Sequence, residues 1–211
     1  MKRMLLGLMV LLALSMLAPL ASAEITTEWD AAFGGAEADM AFDVQPTSDG
    51  GYIASGFGSQ GFSQQILVVK VDAQGQLQWQ RPFSLNTYSE RAYAVVETND
   101  GGYVLFGSAY LPSAVDNRPW LLKLDADGNT VWSSENGLTQ QITVDSAIVR
   151  GFERPDGSLV LVGGTNTFTN VQRPWVATAS ASGELQSFAV YPSLATGYGE
   201  GTYIEDIAPH A

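Results

Sequence analysis

One pattern is written three times along this chain, and it limits the fold more than any other feature. A tight turn recurs as Asp49-Gly50-Gly51-Tyr52, Asp100-Gly101-Gly102-Tyr103 and Asp156-Gly157-Ser158-Leu159. Each turn leads into a short apolar stretch that ends in glycine: 53-IASG-56, 104-VLFG-107 and 160-VLVG-163. A longer run then closes on an aromatic residue, as 66-ILVVKVDAQGQLQW-79, 119-PWLLKLDADGNTVW-132 and 174-PWVATASASGELQSF-188. The turns lie 51 and 56 residues apart, and the closing aromatics Trp79, Trp132 and Phe188 lie 53 and 56 apart. An ordered three-part pattern kept over such intervals marks a repeat architecture.

Each unit reads as four short antiparallel strands joined by Gly-containing turns, because glycine reaches the positive φ that tight hairpins require. In the second unit these are 92-AYAVVET-98, 103-YVLFGSA-109, 120-WLLKLD-125 and 130-TVWSS-134. No segment keeps a 3.6-residue period, so helix is not expected. The middle strands are nearly unbroken apolar runs, such as 66-ILVV-69 and 159-LVLV-162. A sheet with one wet face would alternate, so both faces must be covered. A stack of small sheets, each packed on the next, does this. The expected fold is therefore all-β: β-propeller blades of four antiparallel strands, incomplete, with about three blades plus flanking strands. A β-sandwich or β-solenoid is the competing architecture, and a sandwich gives no reason for the sequence to repeat. The units span approximately 36–83, 84–134 and 135–190, with the start of a fourth at 191–211.

The motif DGGY(I/V)xxG followed by (V/L)K(V/L)DAxGxxxW resembles a bacterial secreted β-propeller repeat family, distantly quinoprotein-like and WD40-like. The resemblance covers residues 29 to 211. It implies a propeller used as a binding or assembly platform. Relatives that act as quinoprotein dehydrogenases hold a quinone and a metal, but no residues of such a site can be matched in this chain.

The two ends do not match each other. Asp206-Ile207-x-Pro209 aligns with Asp43-Val44-x-Pro46, so a fourth unit begins there. The stretch 28-EWDAAFGG-35 resembles 78-QWQRPFS-84 and 131-VWSSENG-137, a fourth strand without the three that should precede it. Three units fall short of the 4–8 blades of closed propellers. The expectation is the N-terminal part of a longer propeller; an arc completed by oligomerisation and an open arc with exposed edges are the alternatives.

The first residues read as a secretory signal peptide. Lys2 and Arg3 precede an apolar run from Met4 to Leu17, and 21-ASA-23 supplies a small-x-small cleavage site. Cleavage after Ala23 would remove 23 of 211 residues and leave 188. Pro19 and small residues interrupt the run before it reaches the ~20 apolar residues of a bilayer span. The localisation expected is secreted or periplasmic, with no membrane insertion after cleavage. With no cysteine, such a chain is held by its core alone. All 22 acidic residues lie beyond Ala23, against 8 of the 10 basic ones, a net charge of −14. Nucleic acid and anionic membranes repel such a surface.

Candidate sites are few. Arg118-Pro119-Trp120 and Arg173-Pro174-Trp175 occupy matching places after variable loops. Arg118, Trp120, Arg173 and Trp175 could hold a sugar or a carboxylate by stacking and paired hydrogen bonds. The competing reading is that Trp packs, Pro ends the loop and Arg sits at the surface. Loops 57–65, 108–119 and 164–173 are where recognition is expected. Asp125-Ala126-Asp127-Gly128-Asn129 resembles a calcium loop, but Asn136 stands where the bidentate Glu belongs and the equivalent turns keep no ligands, so it reads as a hairpin turn. His210, alone of its kind, sits at the chain end and supports no Ser-His-Asp triad or metal centre. Asp43 and Asp206, and loosely Asp145, repeat on first strands. They read as structural acids bonding a neighbouring turn rather than as a glycosidase pair.

No catalytic residues, metal or cofactor are expected. The sequence points to an exported, non-catalytic binding or assembly scaffold with an unknown protein or glycan ligand. The alternative is a fragment of a propeller enzyme, quinoprotein-like or glycan-active, whose active site lies in missing blades.

Overall fold

The computed structural model describes residues 28–85, 89–113, 116–134, 138–142, 145–165 and 173–191. The signal-peptide segment, the start of a fourth unit, Asn136, Asp206 and His210 lie outside them. By contact the chain divides into Met1–Asp30 and Ala31–Ala211. Of the first unit only residues 28–30 are described, and they form no strand.

Among the described residues twelve strands fall into three groups of four. The first comprises β1 (Asp39–Pro46), β2 (Tyr52–Gln60), β3 (Ser63–Val71) and β4 (Leu77–Phe83). The second comprises β5 (Ser89–Glu97), β6 (Tyr103–Leu111), β7 (Asp116–Leu124) and β8 (Thr130–Ser133). The third comprises β9 (Ser146–Glu153), β10 (Leu159–Thr165), β11 (Arg173–Ala179) and β12 (Leu185–Val190). Within each group consecutive strands pair antiparallel, and a single parallel bridge, Gln64 to Ser89, links the first two groups. These are three blades of an incomplete β-propeller. One element departs from the all-strand expectation: α1 (Leu138–Gln141), a single helical turn. Its Leu138, with Ile142, is buried between blades 2 and 3, so the long β8–β9 connection fills a corner that strands leave open.

Each blade presents one face to the preceding blade, here the N-side face, and one to the following blade, the C-side face. In blade 2 the N-side face carries Ala92, Val95, Tyr103, Leu105, Trp120 and Leu122, packed on Ile53, Ile66 and Val68 of blade 1. Its C-side face carries Ala94, Val104, Phe106 and Leu121, packed on Ile148, Leu159, Leu161 and Trp175 of blade 3. Successive residues of β6 and β7 therefore enter opposite cores, which is why both strands are apolar without alternation.

The repeated aromatics and glycines are the contact points. Trp79 of blade 1 lies against Gly128 in the β7–β8 turn of blade 2, and Trp132 of blade 2 against Gly183 in the β11–β12 turn of blade 3. Trp79 also meets Tyr103 edge-on, with ring centroids 6.2 Å apart. At the glycine that ends each second-strand motif, a Cβ would overlap the first-strand carbonyl: Met40 for Gly56, Arg91 for Gly107, Ala147 for Gly163. In blades 2 and 3 it would also enter the indole of Trp120 or Trp175. The first strands are irregular in register here, between Ala41 and Asp43, between Ala92 and Ala94, and opposite Val162 and Gly163. The glycine admits that bulge.

The two glycines of the Asp-Gly-Gly turn do different work. Gly50 and Gly101 take positive φ of 84° and 78°. Gly51 and Gly102 instead make room: an added Cβ would collide with the Val71 or Leu124 carbonyl and crowd Lys70 or Lys123 Nζ at 2.8 or 2.6 Å. Lys70 is buried and reaches Asp49 at 2.7 Å; Lys123 reaches Asp100 at 2.7 Å and Thr98 Oγ1 at 2.6 Å. Blade 3 has Thr178 in place of the lysine, and it also has Ser158 in place of the second glycine.

The stretch 28–35, expected as a fourth strand, forms no ladder. Ala31, Ala32 and Phe33 instead line the N-side face of blade 1, and Gly34 exchanges two hydrogen bonds with the Gln80 side chain, at 3.1 and 3.2 Å. Its resemblance to β4 is expressed in packing, as Phe83 packs on blade 2. Among the described residues no third strand lies beside it, and its backbone bonds side chains instead, Gly34 to Gln80 and Gly35 N to Asp39. β7 also begins earlier than expected, so Arg118 and Pro119 lie inside the ladder, opposite Ala109 and Ser108, not at a loop end.

The glycine contacts predict that Gly163→Ala lowers stability by about 1–3 kcal/mol through overpacking. Gly164→Ala, with nothing within 4 Å of the new Cβ, should stay within about 0.5 kcal/mol of wild type; urea midpoints decide. The clasp predicts a pH dependence. The Lys123 hydrogen bond, aided by Thr98, holds the Asp100 carboxyl down to about 2, below the unfolded value near 3.9. Its stabilisation is therefore present above about pH 4 and is lost as pH falls toward 2. Asp100→Asn should cost about 1 kcal/mol at pH 7, a figure discounted because Asp100 is 66% exposed. The difference from wild type should vanish near pH 2 in paired denaturant titrations.

Candidate functional site

The β2–β3, β6–β7 and β10–β11 connections all leave the sheets at one end, which also carries the β4–β5 linker. In blade 1 the expected loop 57–65 is mostly strand and shrinks to Gly61-Phe62 between β2 and β3. Gly61 sits at φ 62°, its N–H bonds Glu37 at 2.8 Å, and Phe62 projects 99% exposed. In the expected loop 108–119, residues 112 and 113 form a turn after β6, and 114–115 lie outside the described residues. Residues 166–172 of the third loop do so too.

At this end a polar cleft of about 230 Å³ opens, lined by Ser89, Arg91, Tyr93, Ser108, Tyr110 and Asn117. Three strands of blade 2 supply the lining: β5 the first three residues, β6 the next two, β7 the last. Arg91 is aimed by two contacts. Its Nε donates to Gln64 Oε1 at 2.7 Å, and its guanidinium stands 5.5 Å from the Phe57 ring centre. Ser89 donates to the same Gln64 oxygen at 3.0 Å. Asn117 is fixed by Asp145, whose Oδ1 accepts from its backbone N at 2.8 Å and its Nδ2 at 3.1 Å. Tyr93 stacks at 5.2 Å, tilted, on Phe42. The cleft thus offers hydroxyls, an amide, one cation and aromatic edges on rigid strands. This chemistry suits a hydroxyl-rich ligand.

The residues singled out from sequence are placed as follows. Arg118 pairs with Asp116 at 2.9 Å and donates to the Ile142 carbonyl at 3.1 Å, tying β7 to the segment after α1. Trp120 and Trp175 are buried between blades, and their Nε1–H groups find no acceptor among the described residues. They present no ring to solvent. Arg173 begins β11 and is exposed. The four are not brought together in one site. The Asp125–Asn129 segment is a hairpin turn: Asp125 Oδ1 accepts from Asn129 N at 2.7 Å, and Arg81 of blade 1 grips Asn129 Oδ1 at 2.7 Å. Among the described residues no group of three His, Cys, Asp or Glu is arranged to hold a metal.

Asp43 takes the structural role read from its repetition, in a different way. Its Oδ2 accepts from Val95 N at 3.0 Å, and its Oδ1 stands 2.9 Å from Arg150 Nη1. The Arg150 contact is an ion pair without good hydrogen-bond alignment. Asp43, Ala94 and Arg150 are equivalent positions of the three blades, so this pair joins blade 1 to blade 3 across the first strand of blade 2.

Sequence reading named the loop range 108–119, which includes Ser108, Tyr110 and Asn117 of the cleft lining. It missed Ser89, Arg91 and Tyr93. The signal available was 89-SERAY-93, where Arg91 and Tyr93 stand at the places of Met40 and Phe42 in blade 1 and of Ala147 and Val149 in blade 3.

No family model and no curated protein matches this chain. Among solved structures, an endo-arabinase from Bacteroides thetaiotaomicron is similar at TM-score 0.46 and 14% identity, over 71% of this chain and 59% of that one. This chain therefore spans 59% of that protein's length.

Proposed function

We propose that this chain is an exported, non-catalytic β-propeller module of the secreted repeat type, and that it works as a binding scaffold for a glycan. Its three blades belong to a larger ring. The observation that carries the reading is the polar cleft between Arg91 and Tyr110, whose lining residues all lie on strands. Preorganised donors lose little freedom when a ligand binds. The acidic surface leaves neutral or cationic glycans as the ligands least opposed by charge. Phe62, exposed at the same end, offers an apolar platform for a sugar ring.

A glycan array followed by calorimetry on the best ligand tests this. Tyr93→Ala and Arg91→Ala should each weaken binding about tenfold or more, the loss of one to two good contacts. Arg173→Ala should leave it unchanged. Binding that ignores the cleft substitutions but fails with Arg173→Ala would move the site to blade 3. Cleavage of the bound glycan would replace the scaffold reading with the enzyme one.

A further inference from the structure

We infer that the blade 2 cleft selects an acidic sugar. One anionic substituent, the carboxylate of a uronic acid or a sulfate ester, docks on Arg91, while the rest of an otherwise neutral glycan lies on the hydroxyls and amide beside it. The inference rests on the glycan-binding reading above and narrows its ligand class.

Four cations of the chain stand against aspartates: Lys70 against Asp49, Arg118 against Asp116, Lys123 against Asp100 and Arg150 against Asp43. Arg91 differs. Among the described residues it has no ion pair, and of its three nitrogens only Nε is hydrogen-bonded, to the uncharged Gln64 at 2.7 Å. The carboxylates bordering the cleft residues are engaged elsewhere. Glu90 turns to the opposite face of β5, beside Ala109, and accepts from Leu85 N at 2.9 Å. Asp116 pairs with Arg118, and Asp145 holds Asn117. A guanidinium held through Nε presents Nη1 and Nη2 as a fork, and that fork matches two oxygens of a carboxylate or sulfate. In a chain of 22 acidic and 10 basic residues, a fixed arginine kept apart from every described carboxylate points to an anion brought by the ligand.

The surroundings suit the rest of a sugar. Ser108 stands directly across the ladder from Arg91, a Cβ separation of roughly 5 Å. It is 4% exposed, and its hydroxyl has no hydrogen-bond partner among the described residues. A buried hydroxyl that lines a cleft unpaired takes its partner from what enters the cleft. Two residues further along the strands, about 7 Å away, Ser89, Tyr110 and Asn117 form a second row across β5, β6 and β7. Asn117 gives its Nδ2 to Asp145, which leaves Oδ1 to accept from a sugar hydroxyl. Neither row contains a carboxylate, the group that would recognise an amino sugar. The acidic surface opposes a polyanion at a distance, but at physiological salt that field is screened beyond about 8 Å. Within that range a single substituent in the cleft meets Arg91 first. One acid on a neutral chain therefore suits both the surface and the cleft.

Calorimetry of the full chain with three probes tests the inference. They are a disaccharide of one neutral sugar and one glucuronic acid, a neutral disaccharide carrying one sulfate ester, and trigalacturonate. The first two are each compared with a neutral counterpart, the methyl ester or the unsulfated parent. At least one of them should bind about tenfold tighter than its counterpart, by a margin that shrinks as salt rises. The tighter of the two identifies the substituent, and trigalacturonate should bind more weakly than it at low salt. Gln64→Glu keeps an oxygen for Arg91 Nε and cancels the charge beside it. It should abolish the margin while changing binding of the neutral counterpart by less than about twofold. Gln65→Glu adds the same charge on the opposite face of β3 and should keep the margin. Acidic and neutral probes that bind equally, tighter binding of trigalacturonate, or a margin that survives Gln64→Glu would overturn the inference and leave glycan binding standing. No binding of any probe would also overturn it, and a blank glycan array would then remove the glycan reading as well.

Discussion

A four-stranded sheet of this size cannot hide its own apolar surface, and burial of both its faces between neighbouring sheets is the constraint on which the rest of the structure depends. Val104 and Leu105 are adjacent in sequence, yet one enters the core shared with blade 3 and the other the core shared with blade 1. Burying a side chain of that size is worth about 1.5–3 kcal/mol, and blade 2 gains this on both sides. Unbroken apolar strands, a bulge-admitting glycine and an indole laid on the next blade's turn are all means of bringing two such faces together. The same constraint explains why blade 1, whose N-side face is lined by Ala31–Phe33 among the described residues, shows large apolar residues to solvent.

The ends of the sheets away from the cleft are governed by a second pairing, between a glycine and a lysine. Lys70 and Lys123 are long enough to cross the sheet and neutralise Asp49 and Asp100, but only because Gly51 and Gly102 leave their Nζ atoms space. The buried ammonium satisfies a turn carboxylate and also a backbone carbonyl, of Val71 or Leu124. Such a group is tolerated in an interior because it is paired and hydrogen-bonded. When blade 3 gives up the lysine, the glycine is no longer kept, and Asp156 turns to Ser158 instead. The change is therefore one substitution of a unit, not two independent ones.

Much of this was legible in the sequence. The spacing of the Asp-Gly turns located three blades, and the apolar runs required both faces to be covered. Strand ends were less legible. Pro119 reads as a loop terminator, yet it sits within β7, opposite Ser108. Residues 31–35 look like β4, but a strand exists only beside a partner, and sequence similarity cannot supply one. The turn α1 was invisible because one helical turn is too short for a period to register.

The candidate site was less legible than the fold for a reason contained in the repeat. Arg118-Pro119-Trp120 and Arg173-Pro174-Trp175 attract attention because they recur, but in a repeat protein a residue that recurs is answering the need every blade shares. Trp120 and Trp175 accordingly fill the same hole above Gly107 and Gly163. What is individual to one blade stands where the copies disagree. Asp43, Ala94 and Arg150 share one position, and their difference creates an ion pair between blades that do not adjoin in sequence. Arg91 and Tyr93 correspond to Met40 and Phe42 in blade 1 and to Ala147 and Val149 in blade 3, so blade 2 places polar groups where the other two blades have apolar ones. Disagreement between aligned repeats is thus a better guide to a site here than agreement, because the shared scaffold has already accounted for whatever agrees.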